Sequence, residues 1–206
     1  RNVSSAQGGV FRHLLPENAA GSGDSKRPGR DRKVRDHRIP GNSGYLDEQA
    51  ESLLLRDAAL LEGLVLQCCR IKKGIVELDE KDTGLRRILN FGHTIGHAVE
   101  AESGFRLSHG DAVSIGMAAA VRISAEMKYL PKEDSERIQS LIRKLGLADR
   151  VPRDVDGEAI LSRLKKDKKK QGAAVHFVLL KRTGMPFMNG GVPEPLIRET
   201  IEGMMG

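Results

Sequence analysis

The sequence predicts a mainly α-helical protein: a helical bundle carrying one small β-hairpin, preceded by a disordered N-terminal tail. Three observations predict it. Apolar residues recur at helical spacing from Leu46 onward. Aromatic residues make up only 3% of the 206-residue chain and Trp is absent, so the core is built of Leu, Ile, Val, Ala and Met, a mixture that favours helix packing over a β-sandwich. Only two short runs near the C-terminus, Ala174 to Lys181 and Met185 to Asn189, read as strands.

Residues 1–42 form the predicted tail. They are rich in Gly, Ser, Pro, Asn and Arg, and the stretch Lys26 to Arg38 holds seven basic residues against two acidic ones. Such a composition buries too little surface to offset its ordering entropy. The first residue is Arg rather than Met, as in a fragment or processed product, and the change near Gly41–Tyr45 is abrupt enough to suggest an aberrant or frameshifted stretch. Residues 43–206 are the predicted folded unit.

In that unit Leu53, Leu54, Ala58, Leu60, Leu61, Leu64, Val65, Cys68 and Ile71 outline two helices, with Asp57 as the N-cap of the second. Residues 79–85 read as a polar turn. The next helix is expected from about Leu85 to Glu102, with Gly104 marking its end. Ser108 is the expected N-cap of a long apolar helix reaching about Tyr129, whose small residues (Gly110, Ala112, Gly116, Ala118, Ala119, Ala120) let neighbours approach closely. Pro131 opens a helix ending near Gly146, and a short helix covers about Gly157 to Lys166. Arg182, Thr183 and Gly184 turn the hairpin, and Pro193 opens a last helix to about Met204.

The net charge of +6 suits a soluble surface or an affinity for anions. No aromatic stacking platform accompanies the basic residues, which argues against nucleic acid as a partner. No apolar run approaches the roughly 20 residues needed to span a membrane. The adjacent Cys68 and Cys69 form no CxxC pair and are expected to be buried helix thiols, in keeping with a reducing cytoplasm.

The chemistry is concentrated in Arg86-Arg87-Ile88-Leu89-Asn90-Phe91-Gly92-His93-Thr94-Ile95-Gly96-His97-Ala98-Val99-Glu100. His93 and His97 are four apart, so a helix puts both on one face, and the same stripe is expected to carry Asn90 and Arg86. His109 starts the next helix beside Gly110. The pair is not the HExxH of a metalloprotease, because Thr94 stands where the glutamate is needed. Gly92 and Gly96 each cost about 1 kcal/mol relative to Ala in a helix, which is tolerated where a ligand or another backbone comes close.

The pattern Arg-x-x-x-Asn-x-Gly-His-x-x-Gly-His-Ala-x-Glu, followed by Ser-His-Gly-Asp-Ala-Val-x-Ile-Gly-Met, resembles the signature of the 3-dehydroquinate synthase family. Lys72, Asp79-Glu80, Gly84-Leu85-Arg86 and the Lys165 to Lys169 run extend the resemblance over about residues 43–206. It implies a lyase of the shikimate pathway that converts 3-deoxy-arabino-heptulosonate 7-phosphate to 3-dehydroquinate and phosphate with a divalent metal, zinc or cobalt, and NAD. It implies His93 and His109 as metal ligands and His97 facing the substrate. It also implies Lys72, Arg86, Asn90 and either Lys168 or Lys169 on the phosphate, carboxylate or hydroxyl groups of this sugar-acid phosphate. Family members are commonly homodimers.

The sequence departs from the family in two respects. No Gly-rich strand–turn–helix motif for NAD precedes residue 43. The family's AEVIKYG-type segment, which supplies a third metal ligand (a glutamate) and a substrate lysine, is also missing: Glu17 is the only glutamate in residues 1–42, in surroundings that do not match. The expectation is a partial chain, inactive alone. The alternatives are another sugar-phosphate cyclase, making inosose or valiolone products, or a non-catalytic remnant.

Overall fold

The computed structural model describes residues 43–81, 84–171 and 175–206; the side chains of Ser43 and of 168–171 are not described. The tail reading falls outside these residues. The chain runs through α1 (Ser43–Glu48), α2 (Ala50–Leu54), α3 (Ala58–Leu78), a 3-10 helix (Leu85–Asn90), α4 (His93–Glu102), α5 (His109–Glu126), α6 (Lys132–Lys144), α7 (Gly157–Gln171), β1 (Phe177–Leu180), β2 (Pro186–Asn189) and α8 (Glu194–Glu202). The strands pair antiparallel, Phe177 opposite Asn189 and Leu180 opposite Pro186. Bundle plus hairpin is the architecture the composition predicts.

α5 is the hub. Twelve of its 18 residues are buried, including Ala112, Ile115, Ala118, Ala119 and Val121. It packs on α4, α6, α8 and β1, so only a helix rich in small and aliphatic residues fits there. Its N-cap is Ser108, whose hydroxyl accepts from the Asp111 N–H, and Asp57 caps α3 by accepting from Leu60, both as the sequence predicts. β1 lies over α5, where Ser124 Oγ accepts from the Leu180 N–H at 3.0 Å.

Several expectations need correction. The helix expected over Leu85 to Glu102 is two: the 3-10 turn ends at Asn90, Phe91 is extended, and Gly92 has φ +82°. Only glycine adopts that value without strain. The reason is tertiary. A Cβ on Gly92 would meet Met117 Cγ at 2.3 Å, one on Gly96 would meet the Ala112 carbonyl at 2.9 Å, and one on Gly116 would meet the Gly92 carbonyl oxygen at 1.9 Å. The close partner implied by the two glycines is therefore the backbone of α5.

Gln49 divides the first helix into α1 and α2. α5 stops at Glu126, because Lys128 turns to φ +58°. α7 continues beyond Lys166 to Gln171, since lysine is a good helix former and nothing breaks the run earlier. Of the two cysteines only Cys68 is buried; Cys69 is exposed, because neighbours on a helix point about 100° apart. Among the described residues no helix is long and apolar enough to cross a membrane.

Candidate functional site

The α4–α5 corner brings three histidines together. His93 and His97 come from successive turns of α4, and His109 is the first residue of α5. Their ring centroids form a near-equilateral triangle, with sides of 5.3, 5.5 and 5.5 Å. The glycine-mediated contact between the two helices fixes this triangle, because neither backbone can shift without the other.

A fourth group joins them. Glu100, three residues after His97 on the same face of α4, points Oε2 at His109 Nδ1 (3.2 Å) and at His97 Nδ1 (3.4 Å). Burial pushes its carboxyl pKa up, but the hydrogen bonds from His109 and His97 outweigh that and hold it below the ordinary glutamate value. His93 instead donates Nδ1–H to the Phe91 carbonyl at 3.2 Å. Burial lowers its pKa, the Phe91 carbonyl opposes that, and the two neighbouring imidazoles lower it further. His93 is thus kept neutral with Nε2 as a free lone pair.

Beside the histidines lies a cavity of about 430 Å³, lined by Asn90, His93 and His97 and also by Arg87, Asp167 and His176. Thr94, another lining residue, ties its wall to the strand region by donating to the His176 carbonyl at 2.9 Å.

The expected stripe of Arg86, Asn90, His93 and His97 is not formed. The break at Gly92 takes Arg86 out of register, and it is Arg87 that reaches the cavity. Arg86 faces the turn after α3, with its N–H on Asp79 Oδ2 and its guanidinium 3.4 Å from the Glu80 carbonyl. Asn90 still arrives beside the histidines, through the 3-10 turn instead of a helix face. Lys72 is exposed on α3 and is not part of the cavity lining. Lys168 and Lys169 lie in the last turns of α7, and their side chains are outside the described residues.

Sequence reasoning gave no role to Glu100, Arg87, Thr94, Asp167 or His176. Glu100 carried a usable signal, its i, i+3 spacing from His97. His176 carried none, since it arrives from the hairpin.

Comparison with known proteins supplies the family. The model of the 3-dehydroquinate synthase C-terminal domain matches residues 42–170. This chain belongs to the 3-dehydroquinate synthase family. The 3-dehydroquinate synthase of Nostoc punctiforme is 46% identical over 146 residues, covering 70% of this chain and 40% of the relative. That of Dehalococcoides mccartyi (strain ATCC BAA-2266) is 42% identical over 156 residues, covering 76% and 41%. The chain therefore spans about 40% of the length of these curated relatives. Among solved structures, a 2-deoxy-scyllo-inosose synthase complexed with carbaglucose-6-phosphate, NAD+ and Co2+ matches all of this chain and 52% of its own, with a TM-score of 0.70 and 25% identity. The ValA 2-epi-5-epi-valiolone synthase of Streptomyces hygroscopicus, with NAD+ and Zn2+ bound, shares the fold at a TM-score of 0.61 over 77% of this chain and 46% of its own.

The donors in the corner of this 3-dehydroquinate synthase family chain fit a divalent transition metal. His97, Glu100 and His109 each offer one ligand atom within 4.8 Å of the others, a mixed imidazole and carboxylate set of the kind zinc and cobalt take. The described residues contain only one two-stranded antiparallel sheet, not the parallel sheet that binds a dinucleotide.

Proposed function

We propose that this chain is the metal- and substrate-binding part of a 3-dehydroquinate synthase, acting on 3-deoxy-arabino-heptulosonate 7-phosphate together with an NAD-binding part that lies outside the described residues. The observation that carries the reading is the histidine triangle beside a cavity that also takes Asn90 and Arg87.

The residue roles follow the family resemblance. His93 and His109 hold the metal, and His97 faces the substrate. Arg86, Lys72 and Lys168 or Lys169 neutralise the phosphate and the carboxylate. Asn90 offers an amide that both donates to and accepts from hydroxyls. Arg87 joins this set from the cavity wall. A bound divalent ion would polarise the substrate oxygen at the carbon that is oxidised and later reduced again. The neutral state of His93 and the anionic state of Glu100 suit such an ion, because ligands must be deprotonated. The hydride acceptor is NAD, which the protein must position against that carbon. The adjacent Cys68 and Cys69 fit a reducing cytoplasm. A homodimer in the whole enzyme is part of the same reading.

The test is complementation. The chain is mixed with the separately produced nucleotide-binding part of the Nostoc relative, and phosphate release is followed with NAD and zinc. The expected result is release that needs both cofactors and is lost in His109→Ala. No release would overturn the reading. Release from a hexose 6-phosphate instead would move it to the inosose synthase branch, which the structural likeness keeps in view.

A further inference from the structure

We propose that the groove between α5, α6 and α8 is a second ligand site, which takes a free α-amino acid with its carboxylate on Arg122 and its ammonium group on Glu126 and Glu199. The groove has a volume of about 650 Å³, within the roughly 300–1,000 Å³ typical of small-ligand sites. It shares no lining residue with the histidine cavity. Arg122 follows His109 by thirteen residues on the same helix, about 20 Å along its axis. The inference therefore does not depend on the synthase reading.

Arg122 is the first argument. Its side chain is half-buried, and burial lowers its pKa below the ordinary arginine value; Asp149 opposes that shift, and Arg150 and Arg143 add to it. Asp149 is itself paired with Arg143 at 3.3 Å. Among the described residues the Arg122 guanidinium makes no ion pair, and its hydrogen-bond partners are neutral. Nε donates to Gln139 Oε1 at 3.0 Å and Nη1 donates to the Gly203 carbonyl at 3.1 Å. Gln139 is fixed in turn by donating to the buried Ser135 hydroxyl at 3.1 Å. These bonds aim the guanidinium and cap the end of α8. They occupy two of its five N–H groups. A cation that has lost water without gaining a counter-ion is held at a cost. A carboxylate in the groove supplies that counter-ion through the N–H groups left over.

Charge balance is the second argument, and it selects the ligand. Lys132 and Glu136 pair with each other across one turn of α6 at 3.8 Å. That leaves Arg122 and Lys128 against Glu126 and Glu199 on the groove walls, and neither glutamate has an ion-pair partner among the described residues. The walls are neutral in sum, so a phosphate or a dicarboxylate meets as much repulsion as attraction. A net-neutral ligand with both charges on separate atoms matches such walls. Ala125 and Leu196 complete the lining with apolar surface for its side chain.

The experiment is NMR titration of the whole chain with L-leucine, reading the Arg122 Nε–H signal and the Gly203 amide. The matched controls are 4-methylpentanoate, which is leucine without its ammonium group, 3-methylbutylamine, which is leucine without its carboxylate, and inorganic phosphate. Leucine is expected to shift both signals saturably, with a Kd on the order of 1 mM. Each control is expected to bind about tenfold more weakly or less, the worth of one charged hydrogen bond. Glu126→Gln combined with Glu199→Gln should weaken leucine by a similar factor and leave 4-methylpentanoate unaffected. Arg122→Lys should abolish the response of the Gly203 amide to leucine. Both glutamates are exposed, so their variant decides even if Arg122→Lys does not fold. No saturable shift with leucine, 4-methylpentanoate or phosphate binding as tightly as leucine, or leucine affinity unchanged in the glutamate variant would each overturn the proposal. So would leucine shifts at His93 and His97 in place of Arg122, which would put the ligand in the other cavity.

Discussion

The histidine corner of this chain and the residues proposed to bind the substrate's anions are built in opposite ways. His93, His97, Glu100 and His109 sit on two helices locked at backbone distance by three glycines, and their mutual separations follow from that contact. Lys72 and Arg86 lie on α3 and the 3-10 turn, outside the histidine cavity, and Arg86 is held by hydrogen bonds to Asp79 and Glu80. The proposed metal site is therefore preorganised by contacts within this one chain. The residues proposed for the phosphate and the carboxylate are spread over separate elements.

The sharpest way to break the comparison is Gly116→Ala. Its Cβ would lie 1.9 Å from the Gly92 carbonyl oxygen, so α4 and α5 must separate. A loss of about 3 kcal/mol, the upper end for overpacking, is expected from urea denaturation, together with loss of zinc binding. An unchanged unfolding midpoint would show that the corner is not held by this contact.

Asp79→Ala tests the other side. Its buried carboxylate accepts from the Gly84 N–H at 2.9 Å and the Arg86 N–H at 3.0 Å, which fixes the turn that presents Arg86 and Arg87. A loss of about 1–2 kcal/mol is expected, with zinc affinity retained. Coupled loss of zinc binding would mean that the two regions are one unit.

A smaller effect is expected from pH. The folded pKa of His93 is depressed, so the unfolded chain binds more protons as pH falls below about 6.5. Its contribution to stability is complete above that value and is lost as pH drops toward the lower folded pKa. Glu100, also depressed, continues the loss below about 4.5 in the same sense. Denaturation of metal-free protein at pH 7.5 and 5.5 should show the first loss, and His93→Gln should remove it.

Ser114 Oγ on α5 is buried without a hydrogen-bond partner among the described residues. Ser114→Ala should therefore raise stability by up to about 1 kcal/mol in a thermal melt, and a fall would reveal an unseen partner. Least affected of all is Lys72→Ala. On an exposed helix face it should change stability by less than about 0.5 kcal/mol, while weakening phosphate binding in the complemented enzyme. Unaltered phosphate binding would remove Lys72 from the substrate set.

By itself the sequence determined the helical class, the caps at Asp57 and Ser108, the hairpin and the i, i+4 pair His93 and His97. Those depend on local periodicity and local hydrogen bonds, which are written in consecutive residues. It also showed that Gly92 and Gly96 need a close neighbour, without saying which one. Only the tertiary structure decided that the neighbour is α5, that the helix breaks at Gly92 and so separates Arg86 from Arg87, that Cys69 is exposed, and that Glu100 joins His97 to His109. These outcomes rest on how two helices dock across a turn. Docking is set by which atoms fill the interface between elements, and no periodicity within one element records it.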